Sequence, residues 1–461
     1  MARLVVVSNR VADPRKQAAG GLAVALGDTL RETGGLWFGW SGSVASGEAG
    51  HSASNQDVQL QRFGEVTVAT VDLTREDQQA YYLGYSNAVL WPVFHYRLDL
   101  ADFDAGYADR YRRVNLLFAR KLLPLLRPDD VIWVHDYHLI PLASELRALG
   151  SQHRIGFFLH VPLPPPLILA AIPEHAWLMR CLFAYDLVGF QSQADLAHFG
   201  RYVQGEMEAV QLDDEVFEAF GQRLLARAFP IGLDVDEFLA LAESREARDT
   251  LQMLREQFAR RKLLIGIDRL DYSKGLPQRV RAFRSLLLRY PENRSSATLI
   301  QVAAPSREDV NAYADLRREL EGLCGAINGD YGELDWMPVR YMHRTVARRR
   351  VPGLYRAARV ALVTPLRDGM NLVAKEFVAV QDPDDPGVLV LSRFAGAAEQ
   401  LRDAILVNPY DTQATADAIH HALHMPLDER RSRHALLMST IRRQDVHWWR
   451  RAFLNALRES G

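Results

Sequence analysis

Short apolar runs rich in β-branched residues alternate with amphipathic stretches along the whole chain. That rhythm predicts parallel strands covered by helices on both faces of a sheet. In the first half, the runs Leu4 to Ser8, Val66 to Val71, Val131 to Val134, Ile155 to His160 and Leu187 to Gln191 read as strands. Helical spacing falls between them at Gly21 to Arg31, Tyr107 to Leu126 and Gln193 to Val203. The rhythm restarts with strand-like runs near Leu263 to Ile267, Ala297 to Val302, Val339 to Tyr341, Val360 to Thr364 and Val388 to Leu391. Helices are expected around Pro277 to Tyr290, Glu308 to Leu323 and Gly369 to Ala379. The fold class is therefore α/β, as two Rossmann-like, doubly wound domains in series.

The stretch Gly205 to Arg227 is acidic and weakly patterned, and the turn-rich Pro230-Ile231-Gly232-Leu233-Asp234 follows it. A hinge near residue 233 divides the chain into a first domain, 1–233, and a second, 234–444. Leu427 to Leu457 reads as helices with Trp448 and Trp449 on an apolar side, and the segment from about 445 to 461 is expected to cross back onto the first domain. A length of 461 residues suits two domains, because single cores stop growing near roughly 250 to 300 residues.

Composition narrows the class further. With 48% hydrophobic and 24% charged residues and a net charge of −2, the chain looks like an average soluble protein and offers no basic surface for nucleic acid. The run Ile155 to Ile172 holds His160 and four prolines, which argues against a spanning helix. Two lone cysteines, Cys181 and Cys324, give neither a metal spacing nor a disulfide framework, so a cytoplasmic setting is expected. Only five of the 55 basic residues are lysine, and two of these, Lys274 and Lys375, sit inside suspicious motifs. Where arginine is the default cation, a lysine suggests that a compact ammonium was needed.

Ligands of doubly wound folds bind at the carboxyl ends of the strands. In the first half these ends carry Arg10, Asp136, His138 and His160. Gly20-Gly21 precedes a helix, where small residues let backbone amides approach a phosphate. Asp268-Arg269-Leu270-Asp271-Tyr272-Ser273-Lys274-Gly275 runs from a strand end into a helix and presents two cations suited to a diphosphate. Each contributes about 4 kcal/mol at about 4 Å and an effective dielectric of about 20, before desolvation. Thr364 to Glu376 repeats that placement. Its helix amino end suits an anion, Asp368 suits sugar hydroxyls, and Glu376 suits a ribose diol. Tyr82 and Trp91 flank a polar Ser86-Asn87 turn as candidate pocket walls, and Arg307 follows a second-domain strand. The Asp-x-Asp pairs Asp102/Asp104, Asp234/Asp236 and Asp382/Asp384 follow no buried strand beside those groups, so no metal is expected.

Seven motifs in order resemble the trehalose-6-phosphate synthases, retaining glycosyltransferases of the two-domain GT-B fold whose domains face a central cleft. They are Val7-Ser8-Asn9-Arg10, Gly20-Gly21-Leu22, Leu36-Trp37-Phe38-Gly39-Trp40-Ser41-Gly42, Ser86-Asn87-Ala88-Val89-Leu90-Trp91-Pro92, His135-Asp136-Tyr137-His138, Arg269 to Gly275, and Asp368 to Glu376. The resemblance implies transfer of glucose from UDP-glucose to glucose 6-phosphate, without a metal or other cofactor. It implies a donor site of Gly20, Gly21, Arg269, Lys274, Val346, the backbone amides of Leu372 and Val373, and Ala374, Lys375 and Glu376, with His160 and Asp368 on the glucose. It also implies an acceptor site of Arg10, Tyr82, Trp91, Asp136 and Arg307. His160, Arg269, Lys274, Asp136 and Asp368 are then the catalytic set, acting by front-face attack in which the leaving phosphate oxygen takes the acceptor's proton. A related synthase with another acceptor, such as glycerol 3-phosphate, or another donor base is the alternative. No membrane partner is implied, and a homo-oligomer, dimer or tetramer, stays open.

Overall fold

The structure, a computed structural model, describes residues 2–11, 21–45, 57–306 and 311–460. It divides into two units, Met1–Pro230 with Trp449–Gly461, and Ile231–Trp448.

Unit 1 is built on strands β1 (Leu4–Arg10), β2 (Gly35–Val44), β3 (Gln59–Phe63), β4 (Val66–Leu73), β5 (Val131–His135), β6 (Arg154–Phe158), β7 (Leu187–Phe190), β8 (Val210–Gln211), β9 (Val216–Ala219) and β10 (Gln222–Ala228). They form one sheet in the order β3-β4-β2-β1-β5-β6-β7-β10-β9-β8. The pairs β3/β4, β9/β10 and β8/β9 are antiparallel, and the remainder are parallel. Val5, Val6 and Val7 are wholly buried, as are Ile132, Trp133 and Val134. Such near-continuous apolar runs are what strands covered on both faces require.

Unit 2 holds β11 (Lys262–Arg269), β12 (Ala297–Ala304), β13 (Val339–Met342), β14 (Val360–Val363), β15 (Val388–Ser392) and β16 (Ile405–Val407). Its sheet is all parallel, ordered β13-β12-β11-β14-β15-β16. In each unit the winding reverses beside the first strand, between β1 and β5 in unit 1 and between β11 and β14 in unit 2. Crevices of this kind, outside the carboxyl ends at the reversal, are where doubly wound sheets bind ligands.

Two expectations are corrected. Ser86 and Asn87 form no turn: they lie within a π-helix, Gln78–Leu90, that continues into the helix Trp91–Phe94. The weakly patterned Gly205 to Arg227 stretch contains β8, β9 and all but the last residue of β10, which extend the unit 1 sheet. Among the described residues no helix is long and apolar enough to cross a membrane.

Candidate active site

In unit 2 the loops after β11 and β14 are stitched together. Asp271 caps the short turn Tyr272–Lys274, its Oδ1 accepting from the Ser273 amide at 3.0 Å and the Ser273 hydroxyl at 2.9 Å. Gly275 then turns the chain into the helix Leu276–Arg289 with φ of 63°. A Cβ there would strike the Thr364 carbonyl, so only glycine lets the two loops approach this closely. The Leu366 amide donates back to the Ser273 carbonyl at 2.7 Å.

That stitching brings Lys274 to Asp368, with Nζ to Oδ2 at 2.6 Å and both side chains about 85% buried, at 14% and 15% exposure. The same Oδ2 accepts from Asn371 Nδ2 at 2.9 Å. Asn371, at φ 87°, caps the helix Leu372–Ala379 by accepting from the Ala374 amide, so the amides of Leu372 and Val373 stand at the helix amino end. Beneath the loops, fully buried Arg279 donates to Asp268 at 2.7 Å, to Gln301 at 3.2 Å and to Thr364 at 3.0 Å. Burial raises the Asp268 carboxyl above its usual range, against the pull of Arg279. Arg269 is exposed at the end of β11, and Val346 is half-buried after β13.

Glu376 sits one turn into the helix beside Tyr355, whose hydroxyl lies 3.4 Å away. Burial pushes its carboxyl up to about 7, against the opposing charge of Arg348. Lys375 faces elsewhere. It is 1% exposed, and its ammonium donates to the Ile231 carbonyl at 2.6 Å and to Gln400 at 2.7 Å, while burial pushes it down to about 7. Its side chain is thus committed to holding the start of unit 2, which corrects the expectation of an ammonium for the donor.

In unit 1, Arg10 ends β1 and lies 5.8 Å from the centre of the Trp40 ring. Gly42, at φ 89°, leaves the space its guanidinium fills. Trp40 meets Tyr82 edge-on at 5.5 Å, and Tyr82 stacks on His138 at 6.0 Å. Tyr137 packs between His138 and Trp91, at 4.0 and 5.9 Å, and donates to Asn87 at 3.2 Å. Arg10, Tyr82 and Trp91 thereby share one chain of ring contacts, and Asp136 directly precedes Tyr137 within it.

Asp136 follows β5 with φ 76° and ψ 164°. A non-glycine residue held there costs about 1–3 kcal/mol, a strain that functional positions retain. Its Oδ1 accepts from the His160 amide at 3.2 Å. His160 lies two residues beyond β6, and burial pushes its imidazole down to about 3, so the ring is neutral.

Gly20 and Arg307 lie outside the described residues, and Gly21 opens the helix Gly21–Thr33. The residues alone assign no role to Asn371, Arg279 or His135. For Asn371 a signal was present, since an Asn before a periodic apolar run is a capping pattern. The three Asp-x-Asp pairs are engaged locally. Asp104 and Asp234 cap helices, and Asp382 accepts from the Asp384 amide at 3.0 Å.

A family model for glycosyltransferase family 20 matches residues 5–459. A trehalose-6-phosphate synthase of Sinorhizobium fredii is 49% identical over 464 residues, covering 100% of this chain and 99% of that protein. Among solved structures, an α,α-trehalose-phosphate synthase (UDP-forming) from Burkholderia xenovorans in complex with glucose-6-phosphate is 48% identical. It aligns with a TM-score of 0.94 over 99% of this chain and 100% of the other. A structure of trehalose-6-phosphate from E. coli bound with UDP-2-fluoro glucose is 45% identical, with a TM-score of 0.94 over 99% of each chain.

Proposed function

The chain belongs to glycosyltransferase family 20, and from that premise we propose that it transfers glucose from UDP-glucose to glucose 6-phosphate, releasing UDP and α,α-trehalose 6-phosphate. The observation that carries this reading is the Lys274–Asp368 pair beside the amino end of Leu372–Ala379, at the winding reversal of unit 2. A cation, a hydroxyl acceptor and helix amides at one place match a sugar joined to a diphosphate. Lys274 and Arg269 hold the diphosphate with the Leu372 and Val373 amides, Asp368 takes glucose hydroxyls, and Glu376 takes the ribose diol. In unit 1, Arg10 and the Tyr82 and Trp91 rings take the acceptor's phosphate end, and Asp136 takes its sugar. Relatives bound to glucose-6-phosphate and to UDP-2-fluoro glucose support both substrate assignments.

The bond from the glucose anomeric carbon to the diphosphate oxygen breaks, and a bond to the acceptor's anomeric hydroxyl oxygen forms on the same face. The hydroxyl proton passes to the departing phosphate oxygen. Neutral His160 orients the sugar without serving as an acid, and charge developing on the diphosphate falls on Lys274 and Arg269. We propose that these two cations and the helix amides stand in for a metal, and that the reaction is cytoplasmic. Nucleotide release in excess chelator, with UDP-, ADP- and GDP-glucose compared, tests the donor base and the metal together. Full activity with UDP-glucose is expected, and loss of activity on chelation would refute metal independence.

A further inference from the structure

Beneath the sugar-binding end of unit 1 lies a pair of histidines, only one of which the proposed chemistry uses. His135 is the last residue of β5, wholly buried, and aligns in register with Phe158 of β6. Its Nδ1 lies 3.1 Å from His160 Nε2. On the far side of the His160 ring, Nδ1 is 3.3 Å from Nε2 of Gln191, which is 2% exposed just after β7. The Trp449 ring lies against both imidazoles, at 6.3 Å from His135 and 6.0 Å from His160.

An amide nitrogen only donates, so Gln191 faces a bare Nδ1 on His160, and the ring's single proton sits on Nε2. That proton is given to His135 Nδ1, which places the proton of His135 on its own Nε2. Among the described residues this Nε2 has no hydrogen-bond partner. A core chosen only for packing would avoid a buried polar atom in that state. Burial drives both rings toward the neutral form, so a neutral tautomer has to be selected rather than an imidazolium.

We propose that His135 is a positioning residue that locks His160 in the Nε2–H tautomer and, with Gln191 on the other ring nitrogen, fixes the orientation in which the His160 ring meets the donor sugar. The inference rests on the donor-sugar role given to His160 above. The tautomer itself can be read without any substrate.

Histidine-selective 15N labelling, with signals assigned by substitution, reports which nitrogen of His160 carries the proton. The Nε2–H form is expected in the ligand-free protein, and the Nδ1–H form there would overturn the proposal. In His135→Phe, which keeps a ring but removes the acceptor, a mixture of tautomers is expected, with kcat/KM for the nucleotide sugar about tenfold lower and the acceptor KM within twofold. His135→Asn sets a carbonyl oxygen near the position of Nδ1 and should restore both the tautomer and the rate to within about threefold. An unchanged His160 tautomer in His135→Phe, or an Asn variant as impaired as Phe, would contradict the assignment. A correct tautomer together with no transfer from any donor would instead leave His135 in place and remove the glucosyltransfer reading.

Discussion

At Lys274 a single ammonium, about 85% buried and 2.6 Å from Asp368, carries much of the charge complementarity assigned to the donor. Its replacement in Lys274→Met should lower kcat/KM for the nucleotide sugar at least about a hundredfold, the usual cost of deleting one preorganised charge-stabilising donor. Steady-state kinetics on a variant with unchanged Tm checks this. Glu376 supplies a pH dependence. Burial raises its carboxyl to about 7, so the acid form dominates below that pH and the carboxylate above it. A ribose diol donates to a carboxylate, so the donor KM should rise as pH falls through about 7. Glu376→Gln should flatten that limb while raising KM at pH 8 by several-fold. The chemical types at these positions were legible in the sequence because each follows a strand-like run. Their partners were not, since Lys274 and Asp368 are joined only by tertiary stitching.

Among the elements, the helix Leu372–Ala379 divides its work along its length. Asn371 and the first amides face the donor role, Glu376 lies one turn on, and Lys375 turns inward to the Ile231 carbonyl and Gln400. Lys375→Met should therefore cost about 1–3 kcal/mol by leaving buried acceptors unpaired, with the donor KM within about threefold of the parent. The wild type should also gain stability relative to this variant between about pH 7 and 10. Across that range the unfolded chain binds a proton on Lys375 that the folded chain, with its amine pushed down to about 7, does not. Denaturant titrations at several pH values measure both effects. The parallel core strands were readable because buried runs such as β14, Val-Ala-Leu-Val, are wholly apolar. Strands β8 to β10 were not, since the edge strand β8 is two residues long with Val210 exposed, and β9 and β10 interleave buried residues with charged ones such as Glu218 and Arg223. The π-helix Gln78–Leu90 was also missed, because its five-residue hydrogen-bond spacing blurs the helical period. Its Ser86 and Asn87 then imitate a turn.

For the whole molecule, the chain's last helix matters as much as its strand ends. From Trp449 onward, Val446–Glu459 belongs to unit 1, where wholly buried Trp449 packs on Trp133 at 4.8 Å and on Phe158 at 5.2 Å. Trp449→Ala should cost about 3–5 kcal/mol, read as a lower unfolding midpoint. The apolar side of this helix was visible from its tryptophans, whereas its packing against the β5 and β6 residues that precede Asp136 and His160 was not. The most direct test of the whole reading is to incubate the protein with UDP-glucose and glucose 6-phosphate in excess chelator and identify the sugar product by mass and anomeric NMR. An α,α-1,1-linked disaccharide monophosphate, formed together with stoichiometric UDP, is the predicted result. UDP release without that disaccharide, or tight UDP binding with no product from any donor, would contradict it.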